Sequence, residues 1–184
     1  MTVQDVDIPS GERERRHLGA AAVAAVGVYL VIALSRIIER FFYVVGNYWE
    51  DPLAYLRAML PSAAPEWFVA PLPFAFAVWL GLGVIFPIRA RCSTRSVVVQ
   101  SLLTSLIGLV LSGLFIAAGA YLLMFREAAA YGGPSGFTFD DVLLRVPYLF
   151  RSAVTAMTTL LTVGTLTTLS AGLLLRDHLR KASA

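Results

Sequence analysis

The sequence has very few of the side chains on which catalysis and metal binding usually depend. Its 184 residues include one cysteine, two histidines, one lysine and one asparagine. The lone Cys92 excludes an intrachain disulfide, and both His17 and His178 lie at the edges of apolar runs, so a bis-histidine haem site inside those runs is excluded. No glycine-rich phosphate loop, Cys-X-X-Cys pair or metal-ligand spacing is present. We therefore predict no catalytic residue, no cofactor and no metal site.

Charge is scarce as well. Charged residues make up 15% of the chain, against roughly 25% in soluble globular proteins, and the mean hydropathy is +0.72. The net charge of +3 is too small to indicate nucleic-acid binding, and the basic residues cluster beside apolar runs, a pattern typical of contact with lipid headgroups. Fourteen of the fifteen basic residues are arginine, which favours a GC-rich, bacterial source.

The chain contains four uncharged runs long enough to cross a hydrocarbon core of ~30 Å as helices. They are Leu18 to Ser35, Trp67 to Ile88, Ser96 to Phe125 and Ser152 to Leu175. Lipid offers no hydrogen-bond partners to the backbone, so each run must be helical. The first run is longer than the ~7–15 apolar residues of a signal peptide, and we expect it to be an uncleaved anchor.

These runs predict an all-α fold, an integral membrane four-helix bundle with short interfacial helices in its two extracytoplasmic loops. Residues 1–17 form a cytoplasmic tail, and residues 18–184 form one membrane domain. The predicted spans are about 18–38, 67–88, 96–125 and 148–175.

The segment PIRARCSTR, Pro87 to Arg95, indicates the orientation, because short loops rich in arginine stay in the cytoplasm. With four spans, this loop and both termini share one side. That side has a net charge of +4 and the other side −1, which together give the +3 of the chain. We therefore predict cytoplasmic termini in a bacterial plasma membrane.

The two outer loops each contain a paired acid followed by a leucine-rich segment. In the first loop, Asp51 is suited to cap a helix and Pro52 to begin it. In the second loop, Thr138 and Asp141 fit a capping box with aspartate in place of glutamate. Each loop therefore predicts a short helix on the membrane surface.

Hydroxyl and small residues mark the third and fourth runs. Thr155, Thr159 and Thr162 share one face of the fourth helix, where hydroxyl groups either bond within and between helices or form a polar path for a solute. In the third run, Ser101, Ser105, Gly108, Ser112 and Gly119 recur at steps of three, four or seven residues, and Ala20, Ala24 and Gly27 make a similar smooth face on the first. Small residues at such steps favour close helix packing.

Three charges, Arg36, Glu39 and Arg40, follow the first apolar run within the segment SRIIERFFYVV. Burying them would cost ~2.5–3.5 kcal/mol each, more than the neighbouring apolar residues could offset. We therefore predict that the helix continues past the lipid, with Arg36 beside Glu39 in a solvated cluster and residues 41–43 as an aromatic collar. The alternative is that Glu39 turns inward and pairs with a basic residue of another helix, such as Arg151.

The sequence favours a non-enzymatic membrane protein that acts by contact, as an accessory or structural subunit of a membrane complex. Its expected partners are the lipid bilayer and either another membrane protein or further copies of the chain, without nucleic acid. The alternative function is a small transporter, or a transporter component, that uses the threonine face of the fourth span.

Overall fold

The computed structural model describes residues 10–47, 51, 53, 54, 57, 68–130, 154 and 156–182, and these are helical or in turns, with no strand among them. Helix α1 is Ser10–Asn47, α2 is Leu72–Leu80, α3 is Thr94–Ala130 and α4 is Thr165–Ala182. A π-helical turn, Gly81–Ile85, continues α2, and another, Leu160–Gly164, precedes α4.

Three of the described helices are long and apolar enough to cross a membrane. Their apolar parts are His17–Gly46, Thr94–Gly119 and Ala156–Ala182. The second predicted span, 67–88, is helical over the shorter stretch Leu72–Ile85. The fold is therefore helical as predicted, with one apolar helix below the ~18 residues that a perpendicular crossing requires.

The helix start predicted at Asp51 is confirmed. The backbone N–H of Ala54 donates to Oδ1 of Asp51 at 3.0 Å, and Leu53, Ala54 and Arg57 are helical. This is the bond by which an N-cap side chain satisfies one free donor of the first turn. The predicted helix after Thr138 lies outside the described residues, and so does the start of the fourth span.

Each helix packs mainly against two others, in the order α1, α2, α3, α4 and back to α1. Their ends are tied by hydrogen bonds between distant parts of the chain. His17 Nε2 donates to the carbonyl oxygen of Ile88 at 2.8 Å, and the hydroxyl group of Tyr29 donates to the carbonyl oxygen of Phe68 at 2.9 Å. Because a carbonyl oxygen only accepts, the first bond fixes the proton of His17 on Nε2.

The centre of the fold is organised around Phe74, which is fully buried. A Cβ atom added to Gly108 of α3 or to Gly164 of the second π turn would lie 2.8 Å from the Phe74 ring. Glycine at both positions therefore lets α3 and α4 close on this ring, and the absence of a side chain is what makes the contact possible.

Candidate functional site

The packed helices have two chemically different ends, which we name by their residues. The hairpin end contains the loop 86–93 with the start of α1 and the finish of α4. The Glu39 end contains Arg36, Glu39, Arg40 and Thr159. Both ends carry charge, and between them the described interior is apolar apart from hydroxyl side chains and an amide.

The predicted neighbourhood of Arg36 and Glu39 is present in the charge cluster of α1, but the predicted solvation is wrong for Arg36, which is buried. Arg36 Nη1 lies 3.8 Å from Glu39 Oε2, one helical turn away. The Arg36 side chain is only 8% exposed whereas that of Glu39 is 48% exposed, so the cation is covered by protein and the anion faces outward. Arg40 places its guanidinium carbon 5.0 Å from the centre of the Tyr43 ring, a cation–π contact.

The aromatic collar that follows this cluster is exposed on the helix surface. Phe41 and Phe42 meet edge to face, with ring centroids 6.0 Å apart. The Phe42 side chain is 69% exposed, and Tyr43 is also exposed. Large exposed aromatic side chains on a helix indicate contact with lipid headgroups or with another protein.

The charge cluster meets the predicted threonine face through one residue. Thr159 Oγ1 donates to Glu39 Oε2 at 3.3 Å, a bond between side chains 120 positions apart. The sequence singles out both groups, but it does not show that they touch. The inward pairing of Glu39 with Arg151 falls outside the described residues.

Two further threonines of this part of the helix, Thr158 and Thr162, bond to their own helix. Thr158 Oγ1 donates to the carbonyl oxygen of Val154 at 2.8 Å, and Thr162 Oγ1 donates to that of Thr158 at 2.9 Å. Both residues are exposed on the outer surface of the helices. Thr155 lies outside the described residues. The hydroxyl groups of Thr158, Thr159 and Thr162 thus act within the helix or reach Glu39, the behaviour expected for packing and local bonding. That of Thr165 is buried without a hydrogen-bond partner in the described part of the chain.

The small and hydroxyl residues of α3 lie on its buried face. Ser101, Ser105 and Ser112 are buried, as is Thr104. A Cβ atom at Gly81 would lie 2.5 Å from Thr104 Oγ1, and one at Gly172 would overlap Ser101 Oγ. The predicted close packing of α3 is therefore present except at Gly119, where a Cβ atom would have nothing within 4 Å. The glycine partners lie in the π turn after α2 and in α4, which sequence spacing on α3 alone could not reveal.

The hairpin end is bound together by arginine side chains of α4. Arg180 Nε donates to the carbonyl oxygen of Ala90 at 3.0 Å, and Arg176 Nη1 donates to Thr94 Oγ1 at 2.8 Å. Arg176 also bonds Asp177 Oδ1 with Nε at 3.1 Å and with Nη2 at 3.0 Å. These bonds hold the PIRARCSTR loop against the last turns of α4.

The loop itself makes a compact turn around Cys92. The N–H of Cys92 donates to the carbonyl oxygen of Arg89 at 3.0 Å, and the N–H of Arg89 points back to Cys92 Sγ at 3.3 Å. Ser93 then caps α3, since its Oγ accepts the N–H of Ser96 at 3.1 Å. Short loops of this kind join antiparallel neighbouring helices.

In the described part of the chain, no three histidine, cysteine, aspartate or glutamate side chains come together in a way that could hold a metal ion. Comparisons with protein families, with curated proteins and with solved structures found no match.

Proposed function

We propose that the chain crosses the membrane four times and acts without catalysis, by protein contact at the Glu39 end, as an accessory or structural subunit of a membrane complex. In this proposal the hairpin end and both termini are cytoplasmic, the membrane is a bacterial plasma membrane, and short interfacial helices cover the two outer loops.

The direction of the chain supports a membrane crossing by α2, which brings the number of crossings to four. Helix α1 ends at the Glu39 end, while α3 begins at the hairpin end, so the chain between them has to return across the same distance. The segment Leu72–Ile85 makes that return, packed against both α1 and α3. Its shortness is accommodated where lipid thins locally or neighbouring helices cover its ends.

One observation carries the contact function: α1 continues well past its apolar run with exposed aromatic side chains. Its 38 residues correspond to ~57 Å, against the ~30 Å of a hydrocarbon core. The last twelve positions, 36–47, carry the charge cluster, the exposed Phe42 and the Arg40–Tyr43 contact. Tyrosine, phenylalanine and arginine are the side chains enriched in protein interfaces.

The orientation of the threonines supports contact over the transport alternative. Thr158 and Thr162 lie on the outer surface, and each donates to a carbonyl oxygen of its own helix. A solute path requires polar groups that face an interior passage. Thr159, which bonds Glu39, would then contribute to the shape of the contact surface.

Photocrosslinking in living cells tests this proposal. A photoreactive amino acid replaces Phe42, and a matched variant carries it at Leu106, which is exposed in the apolar part of α3. We expect a discrete protein adduct from position 42 and only lipid adducts from position 106. Lipid adducts alone at both positions would contradict the contact function. An adduct of twice the 20.0 kDa chain would replace the accessory role with a homo-oligomer.

A further inference from the structure

The arginines of the hairpin end fall into two classes that the sequence alone does not separate. Arg176 and Arg180 of α4 donate hydrogen bonds to the loop region. The loop and the first turn of α3 contribute three exposed arginines, Arg89, Arg91 and Arg95. In the described part of the chain, none of these three guanidinium groups has a hydrogen bond or an ion pair. The first class therefore holds the loop, and the second is available to a ligand.

The loop presents these three arginines in a fixed conformation. Ile88 is fully buried, and the carbonyl oxygen of Arg89 accepts the N–H of Cys92 at 3.0 Å. That bond closes a β-turn, in which the first and fourth Cα atoms lie within about 7 Å of each other. Arg89 and Arg91 are the first and third residues of the turn, and Arg95 follows on the first turn of α3. The backbone thus holds three positive charges close together.

The apolar side chains on either side of the loop indicate its depth in a bilayer. Val99 is 49% exposed and lies four residues after Arg95, on the same face of α3. Ile85, four residues before Arg89, is 46% exposed. With these apolar side chains in hydrocarbon, four helical residues place Arg95 ~6 Å further out. This is the headgroup layer, which extends roughly 5–7 Å beyond each side of the hydrocarbon core.

Charge complementarity selects an anionic occupant for this surface. With both termini on its side, the hairpin end has nine basic and five acidic residues, a net charge of +4. The Asp177 carboxylate is already paired with Arg176 at 3.0 Å. Lipid phosphates occupy the layer in which the loop arginines lie, whereas an acidic soluble protein would have to displace them. Clusters of basic residues directly beside a membrane helix are suited to anionic lipids.

We propose that the hairpin loop is a binding surface for anionic phospholipid headgroups, in which the guanidinium groups of Arg89, Arg91 and Arg95 contact lipid phosphates. The arginines of α4 hold the loop in position for this contact. The proposal rests on the proposed membrane crossings of α2 and α3 but not on the protein contact at the Glu39 end.

Native mass spectrometry of the full chain in a non-ionic detergent tests this surface, with added phosphatidylglycerol or phosphatidylcholine of identical acyl chains. We expect phosphatidylglycerol to bind more tightly than phosphatidylcholine. Replacing all three loop arginines by glutamine should remove this preference and lower phosphatidylglycerol affinity about a hundredfold, or about fivefold for each arginine. Replacing the same three by lysine keeps the charge and should keep the preference. Equal affinities of the unchanged chain for the two lipids, or an unchanged preference in the glutamine variant, would overturn the proposal.

Unfolding in lipid-free detergent separates loss of the surface from loss of the fold. The triple glutamine variant should unfold at the same denaturant concentration as the unchanged chain, because the three side chains are exposed. If it unfolds earlier, the single variant Arg91→Gln takes its place, with an expected fivefold loss of phosphatidylglycerol affinity. Arg176→Gln is the matched control: it loses the bond to Thr94 and should unfold earlier, yet keep the lipid preference. A greater loss of preference in Arg176→Gln than in the loop variant would overturn the proposal.

Inorganic phosphate distinguishes a lipid headgroup from a free anion. Added at the same concentration as phosphatidylglycerol, it should not displace the lipid, because it is not concentrated at the headgroup layer by acyl chains. Raising the salt concentration should weaken the preference for phosphatidylglycerol, since exposed charges are screened. Displacement by inorganic phosphate would show a site for a soluble anion and would overturn the proposal.

Discussion

The hairpin end and the Glu39 end of the helices are held by different kinds of contact. At the hairpin end, His17, Arg176 and Arg180 make bonds of 2.8–3.0 Å to the loop region 88–94, two of them to backbone carbonyl oxygens. At the Glu39 end, the contacts of Glu39 are longer, 3.3 Å to Thr159 and 3.8 Å to Arg36, and its carboxylate is half exposed.

This difference in contacts indicates which end stabilises the fold and which end is available to a partner. Short bonds to the backbone of another segment fix helix positions, because leaving such groups unpaired costs more than the bond contributes. A half-exposed carboxylate with long contacts contributes little to stability, so Glu39 can exchange its contacts for those of another protein at small cost, while Arg36 stays covered.

The largest expected effect compares one glycine at each end. Gly172→Leu should destabilise the protein by about 3 kcal/mol, because the new side chain would overlap Ser101, Ile88 and Val97 where α4 meets α3. Gly46→Leu, with open space around it, should change the free energy of unfolding by less than ~0.5 kcal/mol. Reversible unfolding in mixed micelles measures both variants, and equal losses would remove the distinction between the ends.

A smaller loss is expected from the hairpin arginine. Arg176→Gln removes the bond to Thr94 and the pair with Asp177, and should cost about 1.5 kcal/mol, since the guanidinium group is largely covered. The matched control is Arg95→Gln, an exposed side chain on the first turn of α3, which should shift the same unfolding curve by less than ~0.5 kcal/mol. If the two variants behaved alike, the loop would not be held by α4.

The smallest effect is expected at the Glu39 end. Glu39→Gln should lower the free energy of unfolding by at most about 1 kcal/mol, because its carboxylate is half exposed and lies 3.8 Å from Arg36 Nη1, and Thr159→Val should have a similarly small effect. Thermal unfolding in mild detergent measures both. A loss of ~3–5 kcal/mol for Glu39→Gln would show that this carboxylate is required to neutralise the buried Arg36, contrary to the small contribution that we expect from it.

Much of the helical framework could be predicted from sequence, because long uncharged runs leave the backbone no alternative to a helix in lipid. The Asp51 cap, the continuation of α1 through Arg36 and Glu39, and the burial of the α3 serines are local features, and local patterns predicted them. The contact function, the cytoplasmic location of the hairpin end and both termini, and the bacterial plasma membrane remain predictions.

The contacts between distant residues could not be predicted in the same way. The Phe74 contact requires Gly108 and Gly164 at the same height on two helices, and the π turn before α4 sets that height. A π turn has no reliable sequence signal. The open space beside Gly27 likewise depends on where α4 packs, so spacing alone could not show it.

The orientation of the two ends is tested most directly at Cys92, the single cysteine of the chain, which lies in the hairpin loop and is partly exposed. A membrane-impermeant maleimide is added to intact cells and, separately, to lysed cells. Our account predicts labelling of Cys92 only after lysis, and labelling of Gly46→Cys in a Cys92→Ser background in intact cells. Labelling of Cys92 in intact cells would contradict the four-span topology with a cytoplasmic hairpin end.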